Sequence, residues 1–441
     1  MDFFVLSDTT DPEKWLAEEA AWAETKSSLS GAEGFYYRHR AENVEKKSGN
    51  IRDFCERWGA GYQYMIILDA DSTMAGWTIL EMIRRMEACP NVAILQVPPV
   101  CVNRHTVFAR MQQFVAGVYG RTFVSGYALW AQTESTYWGH NAILRLPEFI
   151  RYCGLPRLPG PKPFGGEILS HDFVEAAYMT KAGLEVRVAA DLGGSYEECP
   201  TTISEFAKRS RRWCQGNLQH LRLILLDGFH LVSRAHFGMG AMACLSSVLW
   251  LCFMVLAVFG GLRGSTRYAP MLLSLIIGML FLPKLWSYLA LLPDRNRLRA
   301  HGGAASAAKS VLIEAALSFM LAPILMLYNT AFVVAILSGK TIDWGSQRRD
   351  DAATSWAEAI RTYGPHTAIG LVVAFLAIWL IPAAFVWLVP FLLGPVLAIP
   401  LGVWLSDPAA GQRLRERGIF LIPEETNPDW RKRGCLKSTV P

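Results

Sequence analysis

One stretch decides the fold: Tyr62–Met74, which reads YQYMIILDADSTM and ends an apolar run of strand length with two carboxylates. Met65–Leu68 have the β-branched and apolar character of a strand that is buried on both faces. At the carboxyl end of such a strand, Asp69 and Asp71 would point the same way into the crevice where open α/β sheets bind ligands. Hard oxygen ligands in this arrangement suit Mg²⁺ or Mn²⁺ bridging to substrate phosphates. The same Asp-x-Asp-Ser pattern also caps turns, so a purely structural interpretation stays open.

Strands and helices alternate on both sides of this stretch. The pattern predicts a strand at Phe3–Asp8, a helix at Pro12–Thr25 capped by Thr10 or Asp11, a helix at Ile51–Trp58, a helix at Gly76–Ala88, a strand at Val92–Gln96, a helical stretch at Phe108–Tyr127, a strand at Ile143–Leu144, a helix from Ser170 to about Ala182 and a strand at Leu184–Ala189. Such alternation predicts an α/β domain with a mostly parallel sheet covered by helices on both faces. We assign it residues 1–226.

The composition divides the chain into a globular part and an apolar part. Of 441 residues, 52 % are hydrophobic and 18 % charged, and long runs without charge begin at residue 237. The net charge of +5 is modest. Its clusters beside the apolar runs suit an anionic membrane surface better than a nucleic acid. Nine scattered cysteines indicate neither a zinc site nor a disulfide framework, so a reduced, cytosolic setting is expected.

The beginning of the chain carries no secretory signal. Met1–Phe4 starts almost inside a strand, so we expect the opening strand and any upstream segments to be missing.

The apolar runs predict a membrane domain at residues 227–406. Residues 237–262 form a 26-residue uncharged run, about 39 Å as a helix, which spans once. Residues 268–292 span back, interrupted by Lys284, which either snorkels to the cytoplasmic face or lines a sugar path. Residues 366–405 suffice for two crossings of about 30 Å each.

The basic loops set the expected topology. Basic residues follow the second, third and last apolar runs, which places all three loops inside and leaves 407–441 as a cytoplasmic tail. Because an even number of crossings must then separate them, residues 310–338 are predicted to lie at the interface or to re-enter. The competing interpretation is a single span there and one tilted, proline-bent span later, with residues 340–365 outside.

Four motifs stand in a characteristic order. They are Asp8 after the first strand, Asp69-Ala70-Asp71, Ser170-His171-Asp172, and Arg209-Ser210-Arg211-Arg212-Trp213 just before the membrane domain. Together they resemble the D, DxD, (T)ED, QxxRW series of processive family-2 glycosyltransferases such as cellulose synthase, whose catalytic domain has the GT-A type of α/β fold. A narrower resemblance, to the bacterial branch that makes osmoregulated periplasmic glucans, is carried by Leu6–Thr9, Lys47–Asn50, Tyr137–Ala142, Ser170–Ala177 and Arg211–His220.

The resemblance implies roles on the donor side. Asp69 and Asp71 would hold Mg²⁺ or Mn²⁺ on the diphosphate of UDP-glucose, and Asp8 would accept a hydrogen bond from the uracil ring. Lys47 would contact the nucleotide side of UDP-glucose. Arg212 offers a planar, always-charged fork for the diphosphate.

On the acceptor side, the resemblance makes Asp172 the base that takes the proton of the attacking hydroxyl, with inversion. Glu175, one helical turn beyond, is the alternative base. Trp213 would stack on the terminal acceptor sugar. His140 either faces the acceptor or is a structural loop histidine.

Two positions depart from the wider family, namely His171, where many relatives have Glu, and Arg209, where the family has Gln. Both leave open which side chains position the acceptor. Trp344 and Gln347–Arg349 correspond to the gating segment of cellulose synthase, or are a surface loop.

The resemblance implies an inverting, UDP-glucose-dependent hexosyltransferase of the bacterial inner membrane. It would extend a β-1,2-linked glucan backbone, export the chain through its own helices and have an acyl carrier protein as partner, with the catalytic domain in the cytoplasm. The alternatives are a synthase of a cellulose-, chitin- or hyaluronan-like polymer, and a UDP-glucose sensor without turnover.

Overall fold

The computed structural model describes residues 1–29, 32–259, 269–340 and 350–426. The chain forms two compact units, which are described separately: Met1–Met65 with Arg145–Gly154, and Ile66–Leu144 with Leu155–Pro441. The predicted gating residues, Trp344 and Gln347–Arg349, and the tail from residue 427 lie outside the described residues.

The strands are β1 (Phe3–Ser7), β2 (Phe35–His39), β3 (Tyr64–Ile67), β4 (Thr73–Met74), β5 (Val92–Gln96), β6 (Val100–Cys101), β7 (Ala142–Arg145), β8 (Glu185–Val188) and β9 (Ser195–Glu197). The helices that precede the membrane segments are α1 (Pro12–Ser28), α2 (Lys46–Trp58), α3 (Gly76–Ala88), α4 (Val107–Val115), α5 (Arg121–Ala131), α6 (Leu146–Tyr152), α7 (His171–Lys181) and α8 (Ile203–His220). The remaining helices are α9 (Leu231–Phe259), α10 (Ala269–Leu291), α11 (Arg295–Ala300), α12 (Ala304–Leu337), α13 (Trp356–Leu380), α14 (Pro382–Val396), α15 (Ala398–Leu405), α16 (Pro408–Glu416) and α17 (Pro423–Thr426). Short 3₁₀ turns occur at Ala32–Gly34 and Gly59–Gly61, and a π-helical turn at Ala116–Gly120 joins α4 to α5.

The first unit contains the predicted βα beginning of the domain. β1 and β2 pair in parallel, with Ser7 opposite His39. Asp11 caps α1, because its side chain accepts a hydrogen bond from the Glu13 amide. Helix α2 begins at Lys46, five residues earlier than predicted. The extra turn depends on Gly49, where any Cβ would collide with the Val44 carbonyl oxygen.

The second unit contains two sheets. One has the order β3-β7-β5-β8 and the other the order β4-β9-β6. Helix α3 and strand β5 have the predicted bounds. The predicted α/β architecture is confirmed, but the larger sheet is mixed, since β5 runs parallel to β8 and antiparallel to β7.

Within the described residues, four helices, α9, α10, α12 and α13, are long and apolar enough to cross a membrane. Residues 388–396 and 398–405 form a further apolar pair that is bent by 60°. Residues 310–338 were expected to be interfacial or re-entrant. In the structure they belong almost entirely to α12, one unbroken helix of 34 residues and about 51 Å, although Pro323 lies inside it. A re-entrant segment needs a turn that α12 lacks, whereas an interfacial helix and the competing single span both stay predictions. The number of crossings stays a prediction.

An ion pair connects α10 to α12. Lys284 Nζ lies 2.8 and 2.9 Å from the two carboxylate oxygens of Glu314. Glu314 also accepts hydrogen bonds from Tyr119 in the π-helical turn, at 3.0 Å, and from Ser318, at 2.5 Å. Neither sequence interpretation of Lys284 included this partner. The two charges that interrupt the apolar runs therefore neutralise each other.

Candidate active site

The end of β3 brings the acidic motif to the edge of the second unit. Asp69 and Asp71 are half-buried, and the amide of Ser72 donates to the Asp69 carbonyl at 2.9 Å, which closes a tight turn. Strand β4 follows at once and pairs antiparallel with β9, with Thr73 opposite Tyr196. Glu197 is the last residue of β9, and the charges of Asp71 and Asp69 act on its carboxylate.

The loop Gly139-His140-Asn141 fixes this edge to the neighbouring strands. The backbone amide of Asn141 donates to the Ile67 carbonyl at 2.7 Å, at the end of β3. The side-chain amide of Asn141 donates to Ser195 Oγ at 2.7 Å, at the start of β9. His140 Nε2 lies 3.6 Å from the Glu197 carboxylate.

The same loop contacts the proposed base. Gly139 has a φ of +84°, and a Cβ at this position would lie 3.2 Å from Asp172 Oδ2. A glycine is therefore needed here for both its backbone conformation and its close approach to the carboxylate. The loop thus touches the end of β3 on one side and Asp172 on the other.

Helix α8 holds the start of α7, where Asp172 lies. Gly216 lies so close to Ser170 that any Cβ would overlap with the serine side chain. His220 Nε2 donates to the Ser170 carbonyl at 2.9 Å, and Gln219 Oε1 accepts from the Leu169 amide at 3.1 Å. Ser170 itself makes no side-chain capping bond. Helix α8 therefore sets the position of the Asp172 backbone.

Asp172 and Glu175 differ in their surroundings. His171 Nδ1 lies 3.0 Å from Glu175 Oε1, and the Glu175 side chain is only 3 % exposed. Asp172 is half-buried. A base must reach a proton on a bound substrate, so this geometry favours Asp172 over Glu175.

The basic side chains of α8 have different partners. The Arg209 guanidinium lies 4.8 Å from the centre of the Trp213 ring, while that of Arg211 lies 5.9 Å from the ring of Phe332 in α12. Lys208 pairs with Glu205 at 2.6 Å. Trp213 is 54 % exposed, so its ring is accessible for stacking. Arg212 is half-buried on the same helix.

The electrostatics of this edge are dominated by acids. Burial raises the pKa of Glu197; the charges of His140 and Arg209 lower it in part, and those of Asp71 and Asp69 raise it further. Concentrated carboxylate charge of this kind fits a divalent cation. No group of three or more His, Cys, Asp or Glu side chains that could hold a metal occurs in the described ranges. The residues therefore fit a metal held by Asp69, Asp71 and ligand phosphates rather than an all-protein cage.

In the first unit, Asp8 is tied to an arginine that the sequence interpretation did not select. Arg40 Nε and Nη2 each lie 2.7 Å from one oxygen of the Asp8 carboxylate. Arg40 also donates to the carbonyls of Val44 and Lys46, both at 3.1 Å. Arg40 thereby connects Asp8 to the start of α2, where Lys47 lies in the first helical turn. A hydrogen bond from a uracil ring to Asp8 would have to use the lone pairs that Arg40 leaves.

Two site residues were therefore missed, Arg40 and Glu197. Arg40 belongs to a basic stretch that is visible in the sequence, and Glu197 lies in a Glu-Glu pair before α8. Only the folded chain brings Glu197 close enough to Asp71 and Asp69 for their charges to act on it, so no local pattern would have found it.

Comparison with known proteins agrees with the resemblance inferred from the motifs. Three curated relatives carry the name "Glucans biosynthesis glucosyltransferase H". The protein from Cupriavidus pinatubonensis (strain JMP 134 / LMG 1197) is 45 % identical over 97 % of this chain. Those from Pseudomonas fluorescens (strain Pf0-1) and Pseudomonas aeruginosa (strain LESB58) are 43 % and 44 % identical over 97 % and 96 % of it. The chain spans 52 % of each of these relatives.

The family comparison covers the site and the first two membrane helices. Residues 64–292, just over half of the chain, match the family described as "Glycosyl transferase family group 2". The matched region contains the Asp69-Ala70-Asp71, Asp172 and Arg212-Trp213 motifs. The chain therefore belongs to glycosyl transferase family group 2.

Proposed function

We propose that this protein transfers glucose from UDP-glucose, with inversion, to the end of a growing β-1,2-linked glucan. The observation that carries the proposal is the Gly139–Asn141 loop, which contacts both the end of β3 and Asp172. Helix α8, which carries Arg212 and Trp213, packs against the same turn through Gly216 and His220. A donor site and a proton acceptor thus lie within one unit.

On the donor side, Asp69 and Asp71 would hold a divalent cation, and Arg212 would bind the diphosphate through its planar fork. When bound, Mg²⁺ or Mn²⁺ neutralises the charge that develops on the departing diphosphate. Asp8 and Lys47, in the first unit, would bind the uracil and the nucleotide side.

On the acceptor side, Asp172 takes the proton of the acceptor hydroxyl while that oxygen attacks the anomeric carbon. The bond from this carbon to the diphosphate oxygen breaks on the opposite face, which inverts the configuration. Trp213 orients the terminal sugar by stacking on its apolar face. His140, beside Glu197, belongs to the loop that borders this acceptor position.

The test is the substitution Asp172→Asn in the full chain, assayed with labelled UDP-glucose. A general base contributes about 10²- to 10⁴-fold, so polymer formation should fall by that factor while UDP still binds. Glu175→Gln serves as the matched carboxylate-to-amide control and should retain more activity. Unchanged polymer synthesis in Asp172→Asn would rule out the base assignment.

Experiment separates the proposed function from two others. A synthase of a cellulose-, chitin- or hyaluronan-like polymer would use the same motifs, because they bind UDP and not a linkage; labelled UDP-sugars with linkage analysis of the product separate these. A sensor without turnover would bind UDP-glucose and release no UDP even as the wild type.

The four apolar helices support the remaining part of the proposal. The protein would lie in the bacterial inner membrane with its catalytic domain in the cytoplasm, and the glucan would leave through the membrane helices. An acyl carrier protein is the partner that the relatives' family suggests. Co-purification of such a carrier with the full chain would test that part.

A further inference from the structure

Glu197 is a carboxylate with unmet hydrogen-bonding capacity. One oxygen lies 3.6 Å from His140 Nε2 and the other 3.7 Å from the Cys101 thiol sulfur. The first distance exceeds that of a good hydrogen bond, and the second involves a weak donor. Among the described residues, the Glu197 carboxylate makes no other side-chain hydrogen bond or ion pair. The side chain is 22 % exposed, so a ligand can reach it.

The neighbouring Glu198 provides the contrast. Its carboxylate forms an ion pair and hydrogen bond with Arg104. The two adjacent glutamates thus have different roles in the fold. Glu198 is used within the protein, whereas Glu197 keeps acceptor capacity for something else.

The position of Glu197 indicates what that partner is. The charges of Asp71 and Asp69 act on its carboxylate, and His140, 3.6 Å away, belongs to the loop that contacts Asp172. In an inverting transfer, the donor sugar ring lies between its diphosphate and the base, because the acceptor attacks opposite to the leaving group. A residue between Asp71 and Asp172 therefore borders the donor ring.

We propose that Glu197 recognises the donor sugar by accepting hydrogen bonds from its ring hydroxyls, with His140 and Arg209 as its neighbours. This inference rests on the proposed function, since it requires a UDP-sugar donor. Sugar hydroxyls are donors that a carboxylate binds well, and charge-assisted hydrogen bonds are the stronger kind. Glu197 is thus a specificity residue for the sugar and does not take the proton of the reaction.

The experiment measures the Kd of UDP-glucose and of UDP for the full chain carrying Asp172→Asn, which keeps the donor from being consumed. Adding Glu197→Gln keeps the size of the side chain but removes its charge and one acceptor oxygen. UDP-glucose binding should weaken about ten- to hundredfold, the range for a lost hydrogen bond to a charged group. UDP binding should stay within about twofold, because no nucleotide contact is removed.

Glu198→Gln in the same background is the matched control and should leave both Kd values unchanged. Equal weakening of UDP and UDP-glucose by Glu197→Gln would overturn the inference, and so would unchanged binding of both. The proposed function fails separately, if the protein with an intact Asp172 forms no polymer and binds neither ligand. Polymer formation together with unchanged Glu197→Gln binding would reject the inference alone.

Discussion

Glu314 and Glu197 lie in the same unit, but their carboxylates differ in the hydrogen-bond donors that surround them. Glu314 is 3 % exposed, and Lys284, Tyr119 and Ser318 all bind its carboxylate at 3.0 Å or less. Glu197 has two neighbours at 3.6 and 3.7 Å, and its side chain is 22 % exposed. A buried carboxylate with a full set of donors holds helices together. A half-buried one without such donors is available to a ligand, at a cost to the unliganded protein.

The largest expected effect comes from breaking the first of these arrangements. Lys284→Met or Glu314→Gln alone leaves the other charge buried without its partner. Each should lower the free energy of unfolding by about 3–5 kcal/mol. The apparent melting temperature of the detergent-solubilised protein would report this loss.

The matched control removes both charges. Lys284→Met combined with Glu314→Leu should recover most of the loss, because no unpaired charge remains. Single variants as stable as the wild type would show that the pair has no structural role.

A second prediction concerns His220, which is buried and whose ring centre lies 5.6 and 5.0 Å from those of Phe173 and Phe237. Burial lowers the pKa of His220 to about 4. Below about pH 6.5, the ordinary pKa of histidine, His220 is protonated in the unfolded chain but stays neutral in the folded chain. Stability should therefore fall as the pH drops from about 6.5 to 4, by up to about 3 kcal/mol.

Unfolding measured across this pH range checks the prediction. His220→Gln retains a donor for the Ser170 carbonyl but cannot titrate, so the acid-induced loss should shrink by up to one proton's contribution. An identical pH slope in this variant would contradict the assignment.

The smallest effect on stability is expected at Glu197. Glu197→Gln should change the free energy of unfolding by no more than about 0.5 kcal/mol, because it removes no strong contact. Glu198→Gln should cost about 1 kcal/mol through its partner Arg104. Thermal unfolding of the two variants side by side gives the comparison.

Together with the binding experiment, we expect each substitution to affect one measurement. Glu197→Gln should weaken UDP-glucose binding, and Glu198→Gln should lower stability. A large loss of stability in Glu197→Gln would assign Glu197 to the fold and remove the contrast with Glu314.

Much of the architecture is predictable from local patterns. Helix α3 and strand β5 have the expected bounds, and Asp11 caps α1 as one of two expected residues. These features depend on apolar periodicity and turn residues within a few positions. The acidic pair at the end of β3 and the order of the motifs also predicted the family.

Other expectations failed where distant segments meet. The antiparallel course of β7 was not predicted. Lys284 and Glu314 each counted against a simple membrane span when taken alone. Their separation of thirty residues hides the fact that they neutralise each other.

The sequence by itself determined that an acidic strand end, a base and a basic aromatic motif precede a membrane domain, because each motif is short and its chemistry is set by residue type. Only the tertiary structure decided which charges interact: Arg40 with Asp8, Lys284 with Glu314, and Glu197 with Asp71. Strand register and helix packing set these encounters, and both depend on contacts between residues that are far apart in the chain.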